Sequence, residues 1–437
     1  MAEQMKPSGI DWIGDVPNEW DITKVKYRTS QIGSGTTPDS GNPLYYEDGC
    51  FPWIQSGDLY NADYIRDTEK KITELAVADF NALTWYEKEF VVVAMYGASV
   101  GNIAISQISS YTNQACCVLK AKDDDLRYLF YFLSAGKENM LQMAFGGTQP
   151  NISQAIIKNL PYLDAPHNEQ QAIANFLDKE CAQIDSIAAD LEKQIALLQQ
   201  YKKSLITETV TKGLDKSVPM KDSGVEFFGK IPAHWKVSKT KYVADISIGL
   251  VTTMTANYVD EDGVPLIRNS NIRTNHIDDN GMVYLSKEFA KANIGRALHK
   301  GDIVTVHTGD VGTSAIINET YHMSHGFATI ISRLKTKTVN NQFLCWLYNS
   351  EIFKEMSIAY STGDGRQNLN LYDFVDFYIL IPTLKEQMEI VNWLNLKCTE
   401  IDNFIENKQQ QLLLIQQHKK SLIYEYVTGK KRVKEVR

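Results

Sequence analysis

The sequence lacks the segments that carry a chain into or across a membrane. None of its 437 residues belongs to an apolar stretch near the ~18 residues that a membrane-spanning helix needs. The opening residues, MAEQMKPSGIDW, have no apolar core of a secretory signal. Since 43% of the residues are hydrophobic and 22% charged, as in ordinary soluble domains, we expect a cytoplasmic protein of several domains.

The cysteines and histidines lack the spacing of a metal site or a disulfide framework. No Cys-x-x-Cys pair occurs, and the nearest histidines, His322 and His325, fall in a predicted loop, where we expect a structural role. Buried free thiols in a reducing compartment explain the cysteines better than bridges or zinc. The six cysteines are Cys50, Cys116, Cys117, Cys181, Cys345 and Cys398.

Signatures of catalysis are missing as well. The IGSGTTP segment at residues 32–38 has two glycines but not the Lys-Ser/Thr of a Walker A motif. No glycine-rich turn between a strand and a helix offers a dinucleotide or S-adenosylmethionine pocket. The Asn-Pro-Pro-aromatic tetrapeptide of amino-group methyltransferases is also absent. We therefore expect no catalytic residue and no cofactor in this chain.

Positive charge is scarce for a chain that would hold nucleic acid alone. The 45 Lys and Arg are outnumbered by 53 Asp and Glu, which gives a net charge of −8 and a pI near 5.6. Residues 1–165 carry −8 and residues 383–437 only +3, so no basic tail exists. Because phosphate binding relies on Lys and Arg, any nucleic-acid face must be a local patch or be completed by partners.

The sequence contains one unit twice. SGIDWIGDVPNEWDITKVKY at residues 8–27 matches SGVEFFGKIPAHWKVSKTKY at residues 223–242 without a gap, with eight of 20 positions identical. EQQAIANFLDKECAQID, which starts at Glu169, matches EQMEIVNWLNLKCTEID, which starts at Glu386, at an offset of 217. QQYKKSLITETVT and QQHKKSLIYEYVT match at the same offset. Two matches that bracket each half indicate an internal duplication.

Between these matches the frame persists while the loops differ. KEFVVVAMYGASVGNIAI parallels KGDIVTVHTGDVGTSAI, and EDGCFPWIQSGDL parallels EDGVPLIRNSNI. AFGGTQPNIS occupies the place of YSTGDGRQNLN. This pattern suits two modules of one fold that bind different targets.

Each half is predicted to be a mixed α/β (α+β) module. β-branched runs at residues 90–94 and 303–307 predict buried strands, with hairpin partners at 103–105 and 315–317. Aromatic-rich helices are predicted at 126–135 and 342–349. Because strands and helices do not alternate steadily, we expect no doubly wound parallel sheet.

A long helix follows each module. A proline stands near each start, at Pro166 and Pro382, and neither proline nor glycine recurs before Gly213 and Gly429. Apolar residues recur in alternating steps of three and four, a heptad pattern, along about 65–70 Å of helix. The predicted pairing residues are Ile173, Leu177, Ile184, Ile187, Leu191, Leu198 and Leu205 in the first helix and Ile390, Leu394, Ile401, Phe404, Ile415 and Leu422 in the second.

One helix cannot bury such a stripe alone, so we expect the two helices to pair. An antiparallel coiled coil would relate the modules by a pseudo-twofold axis and place them at opposite ends, whereas a parallel pair would crowd them together. We expect the antiparallel arrangement. The predicted segments are a module at 1–165, a helix at 166–215, a module at 216–382, and a helix with a C-terminal tail at 383–437.

The loop residues that differ between the halves are the candidates for nucleic-acid contact. Asn and Gln can pair with adenine, Arg with guanine, and Ser and Thr with phosphates. The first set is Thr36, Thr37, Gln55, Ser56, Tyr96, Ser99, Thr148, Gln149 and Asn151. The second set is Arg268, Asn269, Asn271, Arg273, His307, Thr308, Arg366, Gln367 and Asn368. The alternative is that single loop residues only form turns, but Arg366, Gln367 and Asn368 converge in one glycine-flanked loop.

The chain resembles the specificity subunit of type I restriction–modification systems. The resemblance rests on the WIGDVPNEW and FFGKIPAHW openings, the GGTQPNIS loop, the EQQAIANFLDKECAQID helix start and the KKSLITETVTKGLD exit. It covers essentially the whole chain, in the family's order of two target-recognition domains, each followed by a helix.

The resemblance implies a non-catalytic reader of double-stranded DNA. Each target-recognition domain would read one half of a split target, and the paired helices would act as a ruler. They would also dock two DNA-adenine methyltransferase subunits, which restriction (translocase) subunits would join. S-adenosylmethionine, ATP and magnesium would belong to those partners, which would also supply much of the grip on DNA.

Two other functions remain open at this point. The chain could itself methylate or cleave DNA, which the missing cofactor pocket disfavours. Alternatively, it could be a protein scaffold without a DNA role, which exposed apolar patches on both modules without Arg or Lys on a shared concave face would favour.

Overall fold

A computed structural model describes residues 4–145, 150–252, 254–260, 262–363 and 365–433. The chain forms two compact units. The first unit consists of Met1–Leu191 and Gln410–Arg437, and the second of Glu192–Gln409. Each unit thus combines one of the repeated modules with a part of each long helix.

The elements of the first unit are short, apart from the helix that leaves it. Its strands are β1 (Met5–Pro7), β2 (Asp15–Pro17), β3 (Asp21–Lys24), β4 (Thr29–Gly33), β5 (Phe51–Ile54), β6 (Tyr64–Ile65), β7 (Lys71–Ile72), β8 (Phe90–Ala94), β9 (Ile103–Ser106), β10 (Tyr111–Thr112), β11 (Cys116–Ala121) and β12 (Pro161–Asp164). Its helices are α1 (Glu74–Asp79), α2 (Leu126–Ala135), α3 (Lys137–Gln142) and α4 (Gln154–Asn159), followed by the start of α5 (His167–Lys212).

The second unit has the same kinds of element in a similar order. Its strands are β13 (Met220–Asp222), β14 (Lys230–Pro232), β15 (Lys236–Lys239), β16 (Ala244–Ile248), β17 (Tyr258–Val259), β18 (Val264–Arg268), β19 (Ile272–Arg273), β20 (His276–Ile277), β21 (Val283–Leu285), β22 (Ile303–Val306), β23 (Ser314–Ile316), β24 (His325–Phe327), β25 (Thr329–Leu334), β26 (Ser361–Thr362), β27 (Asn368–Leu369) and β28 (Tyr378–Ile381). Its helices are α6 (Thr240–Val243), α7 (Lys287–Ala292), α8 (Asn341–Tyr348), α9 (Glu351–Ala359) and α10 (Leu371–Phe374), and α11 (Leu384–Val427) starts in it.

A mostly antiparallel sheet forms the centre of each unit. Its strand order is β4-β11-β8-β9-β6 in the first unit and β16-β25-β22-β23 in the second. The central strands β8 and β22 are buried along their whole length, which the runs FVVVA and IVTV explain because β-branched side chains pack well on a pleated surface. The predicted strands and hairpins are therefore confirmed, and each module is a mixed α/β fold.

A smaller sheet lies beside the main one in each unit. Its order is β10-β5-β7 in the first unit and β17-β21-β18-β24 in the second. In each, one pair of strands is parallel: β10 with β5, and β24 with β18. The loops that follow β5 and β18 extend from this sheet. They lie at the same end of the unit as the turns after β8 and β22.

A buried tryptophan joins each module to the start of its long helix. Trp20 and Trp235 are fully buried, and their indole Nε1 atoms donate to Glu169 Oε2 at 3.0 Å and to Glu386 Oε1 at 3.2 Å. A fully buried aromatic side chain contributes on the order of 1.5–3 kcal/mol from area alone. The repeated Trp and Glu therefore fix the same module–helix junction twice.

The two predicted long helices are present. α5 begins directly after Pro166 and ends before Gly213, while α11 begins just after Pro382 and ends before Gly429. The two glycines have φ of +75° and +70°, the left-handed conformation in which helices commonly stop.

Parts of the two long helices contact each other within each unit. In the first unit, Lys419 Nζ lies 2.8 Å from Asp185, and the rings of Phe176 and Tyr426 lie 4.4 Å apart. In the second unit, Lys202 Nζ lies 2.6 Å from Asp402, and Lys408 Nζ donates to Gln194 at 2.6 Å. In both units, residues further along α5 contact residues earlier in α11.

Two of the thirteen predicted helix-pairing residues do not pack as expected. Ile187 and Phe404 are 49% and 59% exposed, whereas Leu177, Leu394 and most of the others are buried or half-buried. At 100° per residue, Ile187 lies about 60° round the helix from Ile184, and one partner helix covers only a narrow seam. Ile187 and Phe404 occupy equivalent positions in the repeat, so both halves expose an apolar side chain at this position.

The structure also bears on the cysteines and on membrane spanning. All six cysteines are free thiols, and all but Cys50 are buried. Burial raises the pKa of Cys181 and Cys398 to about 11, so these thiols are unreactive at neutral pH. Within the part of the chain that the structure describes, no helix is apolar enough over a sufficient length to cross a bilayer.

Candidate nucleic-acid interface

In each unit, the loop before α4 or α10 lies against the hairpin turn of the main sheet. In the first unit, Ile152 N donates to Met95 O at 2.7 Å, directly before Tyr96 in the turn. In the second unit, Leu369 N donates to His307 O at 2.9 Å, and Gly309 N donates to Gln367 O at 3.0 Å. The same backbone contact thus brings together two segments that are far apart in sequence.

In the second unit, a third segment completes the cluster. Asn269, which follows β18, accepts a hydrogen bond from His307 N at its Oδ1 at 3.3 Å. His307 Nδ1 lies 2.8 Å from Thr308 Oγ1, which in turn lies 3.5 Å from Asn368 Oδ1. The structure therefore brings together Asn269, His307, Thr308, Gln367 and Asn368, all at least partly exposed.

The histidine of this cluster is held in its neutral form. Burial lowers the pKa of His307 from its ordinary value. Its ring therefore offers a hydrogen-bond donor and an acceptor at neutral pH rather than a charge. The positive charge of this loop end comes from Arg366, which is exposed.

The glycines around Arg366 shape its loop. Gly363 and Gly365 have φ of +112° and +90°, a backbone conformation that other residues rarely adopt. Adjacent Asn368 pairs with Thr308 as an isolated bridge. The segment directly after Arg366 is thus tied to the hairpin turn, and Arg366 itself is exposed.

Three second-unit candidates serve the local structure. Asn271 is fully buried, and its Nδ2 donates to Asp278 O at 3.0 Å, while its Oδ1 accepts from Arg268 N at 3.2 Å. Its carboxamide thus caps a short 3-10 turn inside the unit. Arg268 donates to Gly281 O, and Arg273 Nη2 lies 3.2 Å from Asp278.

The first unit presents its candidates at the corresponding place. Thr36, Thr37, Gln55, Ser56 and Tyr96 are half-buried, and Asn151 is exposed. Asn151 N donates to Phe145 O at 2.7 Å, which closes its loop. Ser99 is only 6% exposed and lies inside the tight turn, where its backbone O accepts from Asn102 N.

Two candidates of the first unit, Thr148 and Gln149, lie outside the described residues. Their counterparts in the repeat are Gly365 and Arg366.

Sequence reasoning missed one exposed polar residue at this end of the first unit. Gln114 lies in the connection between β10 and β11, and Thr37 Oγ1 donates to its Oε1 at 2.5 Å. These two residues are 77 positions apart, so no local pattern joins them.

Neither loop cluster coincides with a group of metal ligands. Within the described ranges, no set of three or more His, Cys, Asp and Glu side chains is placed to hold a metal ion. What the clusters present instead is carboxamides, hydroxyls, an imidazole and a guanidinium, the groups that read the edges of bases in a DNA groove.

Two copies of one mixed α/β module, each ending in exposed loops of different hydrogen-bonding chemistry, suit a binding protein. The model of the type I restriction modification DNA specificity domain matches residues 26–197 and 232–417 of the chain. Since these ranges cover well over half of its length, the chain belongs to this family. It is thus a DNA-recognition subunit and not a catalytic one, and the scaffold alternative is not favoured.

Similar proteins agree with this assignment. The type I restriction enzyme MjaVIII specificity subunit of Methanocaldococcus jannaschii is 26% identical over 434 residues, which cover 96% of this chain and 95% of that protein. The EcoKI specificity subunit of Escherichia coli strain K12 is 22% identical over 404 residues, which cover 86% of this chain and 82% of that protein.

Solved structures share the fold. A chain from a structure of a type I restriction–modification system, described for complex assembly and conformational transition, has a TM-score of 0.72 at 13% identity and covers 95% of this chain and 99% of that one. The HsdS subunit of Thermoanaerobacter tengcongensis has a TM-score of 0.51 at 13% identity, with 95% and 98% covered.

Proposed function

We propose that the chain reads a bipartite DNA target, with each unit reading one half-site. The observation that carries this proposal is that equivalent loop ends present different chemistry on one frame. Ile152 N and Leu369 N make the same backbone contact, but beside them Tyr96 stands where Thr308 stands. Because phosphate contacts are alike for all sequences, differences at exposed loop ends are what two different half-sites require.

The proposed DNA contacts are the exposed and half-buried candidates of each unit. Asn and Gln suit adenine, and Arg suits guanine. Arg366 would read a guanine, whereas Asn151 and Asn368, which are equivalent in the repeat, would serve both half-sites. Ser99 and Asn271 are proposed to support the loops from behind, and Thr148 and Gln149 remain candidates from the sequence. The remaining proposed contacts are Thr36, Thr37, Gln55, Ser56, Tyr96, Arg268, Asn269, Arg273, His307, Thr308 and Gln367.

We propose further that α5 and α11 pair as an antiparallel coiled coil. The support is that one contact occurs twice. At the repeat offset of 217, Asp402 is the equivalent of Asp185, and Lys419 is the equivalent of Lys202. The pairs Asp185–Lys419 and Asp402–Lys202 are both in contact. A pseudo-twofold relation between antiparallel helices has this consequence.

As a ruler, the helix pair would set the spacer between the half-sites. Four residues inserted into one helix would add about 6 Å and rotate the part of the helix beyond the insertion by about 40°. The accepted spacer is therefore expected to change in the methylation pattern of cells that carry the insertion. A four-residue insertion at residues 214–218, outside the helices, is the control. An unchanged spacer in the helix variant would refute the ruler role.

Two methyltransferase subunits are the proposed partners. Each unit exposes an equivalent apolar pair on its helix segments: Ile187 and Leu414 in the first unit, Phe404 and Leu197 in the second. In the repeat, Phe404 is the equivalent of Ile187, and Leu414 is the equivalent of Leu197. Two equal faces suit two equal partners. These partners would bind S-adenosylmethionine and hold much of the DNA, which accounts for the net charge of −8; restriction subunits with ATP and magnesium would join this core.

The experiment begins with methylome sequencing of the host with and without this chain, which should reveal the loss of a bipartite adenine-methylated motif. A duplex with that motif is then titrated with the purified chain, alone and mixed with the methyltransferase subunit. We expect weak binding alone and tight, motif-dependent binding by the complex. Equal binding of the complex to a scrambled duplex would overturn the proposal.

A further inference from the structure

Gln114 lies on a connection that is longer in the first unit than in the second. It is the exposed middle residue of the connection Asn113, Gln114, Ala115 between β10 and β11. The corresponding strands β24 and β25 are joined by Ala328 alone. The first unit thus has an additional carboxamide at the loop end where the two units are proposed to read different bases.

The turn that carries Gln114 is anchored on both sides. Asn113 N donates to Ile54 O at 2.9 Å, and Asn113 Oδ1 accepts from Ala115 N at 3.0 Å. Met95 N donates to Ala115 O at 2.7 Å. Because the neighbours of Gln114 are held by the smaller sheet and the hairpin turn, its backbone position is set by the fold.

The carboxamide of Gln114 is oriented by two hydroxyl groups. Thr37 Oγ1 donates to Gln114 Oε1 at 2.5 Å. The Tyr96 hydroxyl interacts with the same side chain: burial raises the pKa of Tyr96, and a hydrogen bond with Gln114 opposes this rise. The bond from Thr37 sets the direction of the carboxamide oxygen.

The contact with Thr37 leaves part of the carboxamide's hydrogen-bonding capacity free. Its oxygen has two lone pairs and its nitrogen two hydrogens, and Thr37 takes one lone pair. An acceptor and a donor remain side by side. That is the combination with which a Gln side chain pairs with N6 and N7 of adenine in the major groove.

We propose that Gln114 reads an adenine in the half-site of the first unit, and that Thr37 and Tyr96, besides being proposed DNA contacts, position its carboxamide. This inference rests on the proposed function, that the unit reads DNA. Its structural alternative is a role in closing the turn. That alternative is weak because the turn is closed by Asn113 and by backbone bonds, none of which involves the side chain of Gln114.

The test is a competition titration of the full chain, assembled with its methyltransferase partner, against duplexes substituted at each position of both half-sites. For Gln114→Ala we expect about a tenfold to hundredfold loss of discrimination at one A·T pair, as for a lost bidentate contact. Discrimination in the other half-site should not change. Thr37→Val should cause a smaller loss at the same base pair, because the carboxamide stays present but is less well oriented.

Gln107→Ala is the control, since Gln107 is an exposed glutamine that follows β9 at the other end of the sheet. It should bind like the unaltered chain. Unchanged discrimination in Gln114→Ala would overturn the role of Gln114, as would uniform weakening on all duplexes, which marks a phosphate contact. If the unaltered complex itself binds all duplexes equally, the proposed function fails as well.

Discussion

The two units share their contacts more closely than their chemistry. Tyr131 on α2 donates to Asp178 of α5 at 2.8 Å, and Trp346 at the same place on α8 donates to Asn395 of α11 at 3.2 Å. In the first unit, Arg127 also binds Asp178, at 2.7 Å, which makes the junction charged. Both units have a hydrogen bond from an aromatic side chain to the long helix. The acceptor is a charged carboxylate in the first unit and a neutral carboxamide in the second.

This comparison limits what a difference between the halves can mean. The Tyr131 and Trp346 junctions differ although both aromatic rings are buried within their units, so divergence alone does not mark a recognition residue. The contacts that we propose at Arg366 and Gln114 combine divergence with exposure. Conversely, what is identical and buried, such as Trp20 and Trp235, marks the frame. Substitutions at both kinds of residue test this division.

The largest effect is expected at the shared tryptophans. Trp20→Ala and Trp235→Ala should each destabilise their own unit by about 3–5 kcal/mol, because each removes a fully buried indole and leaves a cavity. Hydrogen exchange of backbone amides, followed unit by unit, would show the loss in the altered unit. Trp85→Ala, at a residue that is 38% exposed, is the control with a smaller loss. A loss in only one of the two variants would show that the frame is not equally shared.

The next effect concerns recognition rather than stability. Arg366→Ala should weaken binding to one half-site by about 1–3 kcal/mol, or roughly tenfold to hundredfold, since it removes the proposed guanine contact. Assembly with the methyltransferase subunit should be unaffected because Arg366 lies at the loop end. Binding to duplexes altered in each half-site measures this effect. Lys337→Ala removes an exposed cation beyond β25 and serves as the control; equal behaviour of the two variants would mean that another loop reads the base.

A third prediction concerns the pH dependence of Glu386 at the junction of the second unit. Burial raises the pKa of Glu386, but hydrogen bonds from His234, Thr383 and Trp235 outweigh this and lower the pKa to about 2. A carboxyl group with a lowered pKa stabilises the fold above its ordinary value of 4.5, and this contribution is lost as the pH falls from 4.5 towards 2. The second unit should therefore lose stability over this range.

Glu386→Gln tests this dependence directly. At neutral pH the variant should cost about 1–2 kcal/mol, because it weakens a partly buried hydrogen-bond cluster, and its stability should depend less on acid. Urea unfolding at a series of pH values measures both effects. Glu389→Gln, one turn further along α11 and exposed, should keep the acid dependence. If Glu386→Gln kept it too, another group would be responsible.

The frame could be predicted from the sequence, whereas much of the recognition surface could not. The long helices and central strands follow from heptad spacing and β-branched runs, which are local patterns, and the repeat marks Trp20, Trp235 and their glutamates as pairs. Ser99 and Asn271 have the residue types of loop contacts, but burial depends on tertiary structure. Gln114 was missed because Thr37 reaches it only through the packing of distant strands, which no spacing in the sequence records.

The smallest effect is expected at the repeated ion pairs of the long helices. Lys202→Ala and Lys419→Ala should each cost about 0.2–1 kcal/mol, because Lys202–Asp402 and Lys419–Asp185 are partly exposed pairs. Lys419 also lies 3.4 Å from Asp63, a second carboxylate, so its loss should cost more than that of Lys202. Urea unfolding at about 0.1 and 1 M salt should show this difference shrinking as screening increases. Double-mutant cycles with Asp402→Asn and Asp185→Asn isolate each pair; coupling in one unit and none in the other would mean that the two halves share the geometry of this contact but not its energy.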